Sequence, residues 1–313
     1  MNLSINKNSS RLISLFWQSL FIVFFLSLNT FAQTSTLNFL YVSDFGGKAG
    51  KEQKSVASAM GKEALKINAK FVVTGGDNYH DNGIASENDI RWKTEFEDVY
   101  NSTSLQIPWY ASLGNHDYLG NAEAEVKHTA LSVRWKLPSR YYSQIEQIDS
   151  INSILIVHID TPPFLIRYQK ENEKYHVAEQ NTKLQMKWLD SVLSNTKATW
   201  KVVVGHHPIY SAAPKHGDTN ELIENILPIL TKNNVKVYFC GHDHILQDIH
   251  TENIEFLVAG GGAKFRDVSE SPNVVFGKGS LGFLSLSVTP EILSFRFIDS
   301  EGVILHSGNI KSH

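Results

Sequence analysis

Five short polar clusters carry side chains of the kind that hold small cations. They are Asp44-Phe45-Gly46-Gly47, Gly76-Asp77-Asn78, Gly114-Asn115-His116-Asp117, Gly205-His206-His207-Pro208 and Gly241-His242-Asp243-His244. Carboxylates, imidazoles and one neutral amide oxygen suit hard or borderline metals, and no thiolate stands among them. A carboxylate can bridge two ions. Two cations about 3.5–4 Å apart acidify a shared water and neutralise a phosphoryl group during in-line attack. Singly each cluster is a weak signal, because Gly-Asp arises by chance and Asn-His-Asp is more often a turn than a ligand set.

What could bring them together is their placement. Leu37 to Ser43, Phe71 to Thr74, Ile154 to Ile159, Lys201 to Val204 and Val235 to Phe239 read as strands, apolar almost throughout, as expected of strands covered on both faces. Val56, Met60, Ala64 and Ile67 form a helical stripe between the first two, and Leu184, Trp188 and Val192 form another. Glu221 to Thr231 also has helical periodicity, which Pro228 should kink or cut short. Each polar cluster is expected to follow a strand, so the loops should converge on one rim at the carboxyl ends of an α/β sheet. After Gly262 the pattern changes to alternating strands, Phe283 to Val288, Ile292 to Ile298 and Val303 to His306, with turn signals at Thr289-Pro290 and Glu301-Gly302. One α/β domain finished by antiparallel strands is the economical reading.

In this order, over about 200 residues, the five clusters resemble the signature of the calcineurin-like metallophosphoesterases. Trp92-Lys93-Thr94-Glu95-Phe96-Glu97-Asp98-Val99-Tyr100 and Pro108-Trp109-Tyr110 narrow the likeness to the purple acid phosphatases, with the single-domain tartrate-resistant branch the best fit. The resemblance implies a four-layer α/β/β/α sandwich of mixed sheets with antiparallel C-terminal strands. It also implies a dinuclear-metal phosphatase that hydrolyses phosphate monoesters by in-line attack of a metal-bound hydroxide. Carried over residue by residue, Asp44, Asp77 and His244 would hold one metal, with Asp77 bridging to a second held by Asn115, His206 and His242. His116 would contact substrate phosphate, and His216 would assist the leaving group. One extra residue separates His206 from His216 relative to the family pattern, which leaves a surface histidine in a Gly-bounded loop as the competing reading of His216. The implied pair is iron with iron, zinc or manganese.

One departure bears on the metals. The family places a tyrosine three residues after the bridging aspartate, and here that position is His80, with Tyr79 one place early. A phenolate favours iron(III) and gives the purple colour, whereas a neutral imidazole donates less charge and tolerates divalent ions. His80 is therefore expected as a ligand of the first metal, in a protein that is not purple and can hold a divalent pair. A divalent pair also acidifies water less, which moves the expected pH optimum toward neutrality.

The remaining histidines have milder readings. His158 sits inside an apolar strand as a core residue, His207 packs, and His128, His176, His250, His306 and His313 have no partner motif. Asp160 is at most a support for the ligands. The charged run Lys170 to Lys174 is a solvated loop that can border the site.

Composition limits the alternatives. Lys7 and Arg11 precede an apolar run from Leu12 to Leu28 and the exit Thr30-Phe31-Ala32, so residues 1–32 read as a signal peptide. Ser14, Gln18 and Ser19 interrupt that run and argue against an uncleaved anchor. Residues 33–313 then form a single catalytic domain, exported to the periplasm or secreted. No other stretch could span a bilayer, so no stable membrane insertion is expected after signal removal. Removing two basic residues and no acid takes the formal charge from −3 to −5. So mildly acidic a chain lacks the basic surface that a nucleic-acid polymer requires, and a small phosphate ester is the expected partner. The single cysteine, Cys240, rules out an internal disulfide and reads as a core filler. Asn101-Ser102-Thr103 is a glycosylation sequon. Two rival functions remain: a phosphodiesterase or nucleotide-cleaving enzyme on the same site, and a non-catalytic protein that binds metal or phosphate.

Overall fold

The structure, a computed structural model, describes residues 35–312; the expected signal peptide lies outside the described residues. Two seven-stranded mixed sheets dominate. In the first, β1 (Leu37–Val42) pairs parallel with β2 (Val72–Thr74) and antiparallel with β12 (Gly282–Val288). β3 (Trp109–Tyr110) and β4 (Trp135–Lys136) extend it on one side, and β13 (Ile292–Asp299) and β14 (Ile304–Lys311) on the other. In the second, β6 (Ser153–His158), β7 (Trp200–Val204), β8 (Val237–Cys240) and β10 (Ile254–Ala259) run parallel. β5 (Tyr142–Gln147), β9 (Leu246–Thr251) and β11 (Val274–Lys278) complete it antiparallel.

The period of two along each strand explains why the central strands are apolar throughout. Phe39 and Tyr41 of β1, Val202 and Val204 of β7, and Val237 and Phe239 of β8 share one buried cluster between the sheets. The residues that alternate with them, Leu40, Val42, Val203, Tyr238 and Cys240, belong to a second cluster that includes the helices. α1 (Lys51–Ile67) sends Val56, Met60 and Ala64 into that cluster and packs on β1 and β12. Burying the Val56 and Met60 side chains stabilises by about 1.5–3 kcal/mol each. Asn68, in a left-handed conformation its short amide tolerates, ends α1 by bonding the Ala64 and Leu65 carbonyls. On the other sheet, Leu189 and Leu193 of α2 (Thr182–Asn195) and Leu222 and Leu230 of α3 (Asn220–Asn225) and α4 (Leu227–Lys232) do the same. The order of layers is α/β/β/α. Pro228 breaks the last helical stretch as expected, standing in the first turn of α4.

Two features differ from the sequence reading. The loops do not share the rim of one sheet: β1, β2 and β3 belong to the first and β7 and β8 to the second. Their carboxyl ends meet at a seam, sewn by Ser43 N–H to the Ala259 carbonyl at 3.0 Å and Gly262 N–H to the Ser43 carbonyl at 3.1 Å. The strand before Asn115 is only two residues long and ends at Tyr110, so Ala111 to Leu113 form an irregular link.

Candidate metal centre

At the seam, Asp44, Asp77, His80 and His244 lie together, all buried, with one donor atom from each within 4.8 Å of the others. On the far side of Asp77, His206 Nε2 is 3.2 Å from Asn115 Oδ1 and 3.2 Å from His242 Nδ1. The carboxylate of Asp77 divides between these groups. Its Oδ1 is 3.4 Å from His206 Nε2 and accepts the His116 N–H, while its Oδ2 is 3.3 Å from His80 Nε2. Three of the residues, Asp44, Asp77 and Asn115, come from the first sheet, and His206, His242 and His244 come from the second.

The backbone aims the rings. His80 Nδ1 donates to the Gly46 carbonyl and His206 Nδ1 to the Gly75 carbonyl, both at 2.9 Å, which leaves each Nε2 as the nitrogen facing the site. Asp44, Asp77, His242 and His244 all have φ between 51° and 69°, the left-handed region that costs about 1–2 kcal/mol per non-glycine residue. Strain of this kind persists where the surroundings over-determine it, and here it turns four side chains toward one space. Gly114 permits the approach, because a Cβ there would collide with Asp77 Oδ1 and stand 2.8 Å from His206 Nδ1.

Asp117 is a supporting residue the sequence reading passed over. Its carboxylate accepts Gly114 N–H, Asn78 N–H and Tyr79 N–H at 2.8–3.1 Å and so ties the loop after β2 to the loop after β3. Its position two residues after Asn115 was the available signal. Burial, with the Asp77 charge adding to it, pushes Asp117 up to about 7.

The other residues named from the sequence lie around this cluster or apart from it. Tyr79 is buried with its hydroxyl unpaired and its ring edge-on to Trp92, outside the donor cluster. His116 borders the cleft, with Nε2 4.0 Å from Asp77 Oδ2 and its ring 4.3 Å from that of His80. His216 also lines the cleft, so the extra residue before it does not carry it away. His207 is fully hydrogen-bonded, by Thr161 Oγ1 at 2.9 Å and Tyr168 OH at 3.0 Å. His158 bonds Ser112 Oγ, stacks on Tyr142, and is lowered to about 3 by burial, as a core histidine should be. Asp160 accepts the Tyr118 hydroxyl and so anchors the His116 loop from beneath. His306 and His250, without partners in sequence, pair at 2.8 Å with Asp248 and Glu255, away from the site.

A cleft of about 230 Å³ opens over the two groups. Arg167, Lys215 and Arg266 line it, and Glu171 shows that the charged run does border the site. Among the described residues none of these three cations has a carboxylate partner within 4.0 Å. A larger groove, about 580 Å³, lies along α1 beside Asn101, but it holds no donor cluster and no part of the chemistry.

The donor set fits cations on two counts. Asp44 Oδ1 and His80 Nε2 are buried without a hydrogen-bond partner, and buried polar atoms of this kind are otherwise satisfied; His244 turns its Nε2 to within 3.3 Å of Asp44 Oδ1. Protons also crowd the site. Burial opposes charge on Asp77, yet the imidazoles of His206 and His80 hold its carboxyl well below the usual range. Burial likewise opposes charge on His206, yet Asp77 pushes it up to about 9, and Asp77 raises His80 in the same way. Burial first and the surrounding histidines second lower His242 well below the usual imidazole range. Positive charge is thus favoured beside Asp77 from either side.

Residues 37–246 match the calcineurin-like phosphoesterase family. The chain belongs to that family, and within it to the group of the purple and tartrate-resistant acid phosphatases. Purple acid phosphatase 17 of Arabidopsis thaliana is 37% identical over 286 residues, covering 87% of this chain and 83% of the relative. Tartrate-resistant acid phosphatase type 5 of Oryctolagus cuniculus is 32% identical over 294 residues, covering 86% of this chain and 89% of the relative. Among solved structures, GAP50, the anchor in the inner membrane complex of Plasmodium, superposes with a TM-score of 0.77 at 23% identity, over 88% of this chain and 89% of that one. Purple acid phosphatase PPD1 from yellow lupin seeds (Lupinus luteus) gives 0.65 at 16% identity, over 89% of this chain and 54% of that one. At these identities the two structures speak for the fold.

The raised His206 sets a pH dependence for loading. Below about 9 the metal-free site carries a proton on His206 that a cation must displace. Affinity for zinc or manganese should therefore rise about tenfold per pH unit for each proton displaced, with protons released on binding. Calorimetric titrations in buffers of different ionisation enthalpy check this, and an affinity independent of pH between about 6 and 8 would count against it.

Proposed function

We propose that this protein hydrolyses phosphate monoesters at a two-cation centre. Asp44, Asp77, His80 and His244 hold one ion, and Asp77, Asn115, His206 and His242 hold the other. The observation that carries the reading is the division of Asp77, one oxygen toward each group of nitrogen and oxygen donors. When bound, the two ions supply Lewis acidity that neutralises the phosphoryl group and acidifies the attacking water.

The chain's own residues supply the rest. Arg167, Lys215 and Arg266 make the cleft attractive to a dianion, which favours a monoester over a singly charged diester. His116, held by the Asp81 carbonyl through Nδ1 at 2.5 Å, presents Nε2 toward the cleft to bond a phosphate oxygen. His216 stands where it can protonate the departing alkoxide. Cys240, the only thiol, is buried in the core, in keeping with direct attack by water rather than a covalent enzyme intermediate.

With zinc, manganese or iron supplied, kcat/KM for 4-nitrophenyl phosphate should exceed that for bis(4-nitrophenyl) phosphate by about 100-fold or more, the discrimination of a site built for two negative charges. Asn115→Ala and His206→Ala should each lower it by more than about 100-fold, since even residues that only orient ligands cost 10–100-fold. A preference for the diester would favour the phosphodiesterase reading, and undiminished hydrolysis in either variant would remove these residues from the centre.

The metals proposed are iron with iron, zinc or manganese, with a divalent pair accommodated by His80. The Tyr79 ring packs edge-on to Trp92 in the core, which supports a first ion held without the Tyr79 phenolate. The protein as isolated should lack an intense visible phenolate-to-iron band, and its pH–rate profile should peak nearer neutrality than that of tyrosine-bearing relatives. A purple protein, or a peak well below pH 5, contradicts this.

Export is part of the proposal: residues 1–32 act as a cleaved signal, and 33–313 work as one domain in the periplasm or outside the cell. The charge-led apolar run ahead of Ala32 supports it. Among the described residues no helix is long and apolar enough to cross a membrane. N-terminal sequencing of the exported protein should begin at Gln33, and a mature chain retaining Lys7 overturns the reading.

A further inference from the structure

Asp243 stands between two of the metal-binding histidines in sequence but outside their four-residue group in space. Its side chain is wholly buried, and its Oδ1 is 2.7 Å from His216 Nδ1. The His216 ring also lies on that of His242, with centroids 4.4 Å apart and planes 25° from parallel. A hydrogen bond at one edge and a stack on one face remove the two rotations available to the ring. Nε2 is left as the free nitrogen of a residue that lines the cleft.

His216, His242 and Asp243 also bring three donor atoms within 4.8 Å, enough to suggest a third cation. Arg167 argues against that, because its Nη2 is 3.0 Å from His242 Nε2 and a guanidinium already holds the position. What remains is a carboxylate and imidazole pair. A buried carboxylate oxygen bonding a ring N–H makes a charge-assisted bond, stronger than a neutral one and sharply directional.

We propose that Asp243 is a positioning residue that accepts the Nδ1–H of His216 and so aims Nε2–H at the ester oxygen of the leaving group. This rests on the phosphatase reading given above. In the step, the oxygen of water forms the new bond to phosphorus and gives up a proton. The ester P–O bond breaks with its electron pair on the departing oxygen, and the Nε2 proton moves to that oxygen. The neutral imidazole then regains a proton from solvent. Asp243 touches neither substrate nor metal in this scheme and acts through His216.

The test compares leaving groups. An alkyl oxide must be protonated as it departs, whereas 4-nitrophenolate leaves unaided. Asp243→Ala should lower kcat on glycerol 2-phosphate by about 100-fold and on 4-nitrophenyl phosphate by about tenfold less, with KM for both nearly unchanged. Asp243→Asn, whose amide oxygen still accepts the Nδ1–H, should recover most of the loss. In a His216→Ala background Asp243→Ala should add less than about twofold. Elemental analysis should show the metal content of the parent throughout. Equal losses on both esters, or a full further loss in the His216→Ala background, overturns the proposal. If Asp243→Ala does not fold, nitrogen NMR of the zinc-loaded parent decides: a protonated, hydrogen-bonded His216 Nδ1 supports the pair and an unprotonated one sinks it. A parent that hydrolyses neither ester defeats the phosphatase reading itself, whereas an active parent whose variants lose both esters equally defeats only the role of Asp243.

Discussion

Everything at this centre depends on one carboxylate held at the seam of two sheets. Asp77 is 1% exposed, and an ionised group so deep would be untenable without positive charge close by. His206 from one sheet and His80 from its own supply that charge when protonated, and cations supply it when bound. The seam is therefore an electrostatic joint as much as a packing one. His206 also bonds the Gly75 carbonyl, and Asp44 accepts the His242 N–H at 2.8 Å, so the same residues proposed to hold the metals join the sheets.

Such a joint needs a stiff frame. Four of its residues occupy left-handed backbone conformations, and the strain is sustained by the sheets behind them. The cluster between the sheets interlocks aromatic rings, Phe39 on Phe71 at 4.8 Å and Tyr41 on Phe239 at 4.9 Å, directly below the loops. Close-packed interiors transmit strain rather than absorb it, so loop positions inherit the precision of the core.

Charge is distributed against the average. The chain as a whole is mildly acidic, yet the cleft presents Arg167, Lys215 and Arg266, none of them ion-paired to a carboxylate among the described residues. Two further acids, Asp117 and Glu125, are buried close to Asp77, where burial first and neighbouring carboxylates second raise them toward neutrality. A field that is positive at the mouth and neutral behind draws in a small anion without making the rest of the surface basic.

By itself the sequence determined the types of the proposed ligands, their order, and the strands that carry most of them. Period-two burial and glycine-bounded loops are local signals, and His80 in place of a tyrosine was legible as a letter change. Tertiary structure alone decided that the loops belong to two sheets, because runs such as Val202 to Val204 and Phe39 to Tyr41 look the same whichever sheet they join. It also decided that Asp77 splits its oxygens, that Asp243 pairs with His216, and that three scattered cations share one cleft. The reason is physical: periodicity reports which face of an element is buried, whereas side-chain partners tens or hundreds of residues apart are chosen by how whole layers pack.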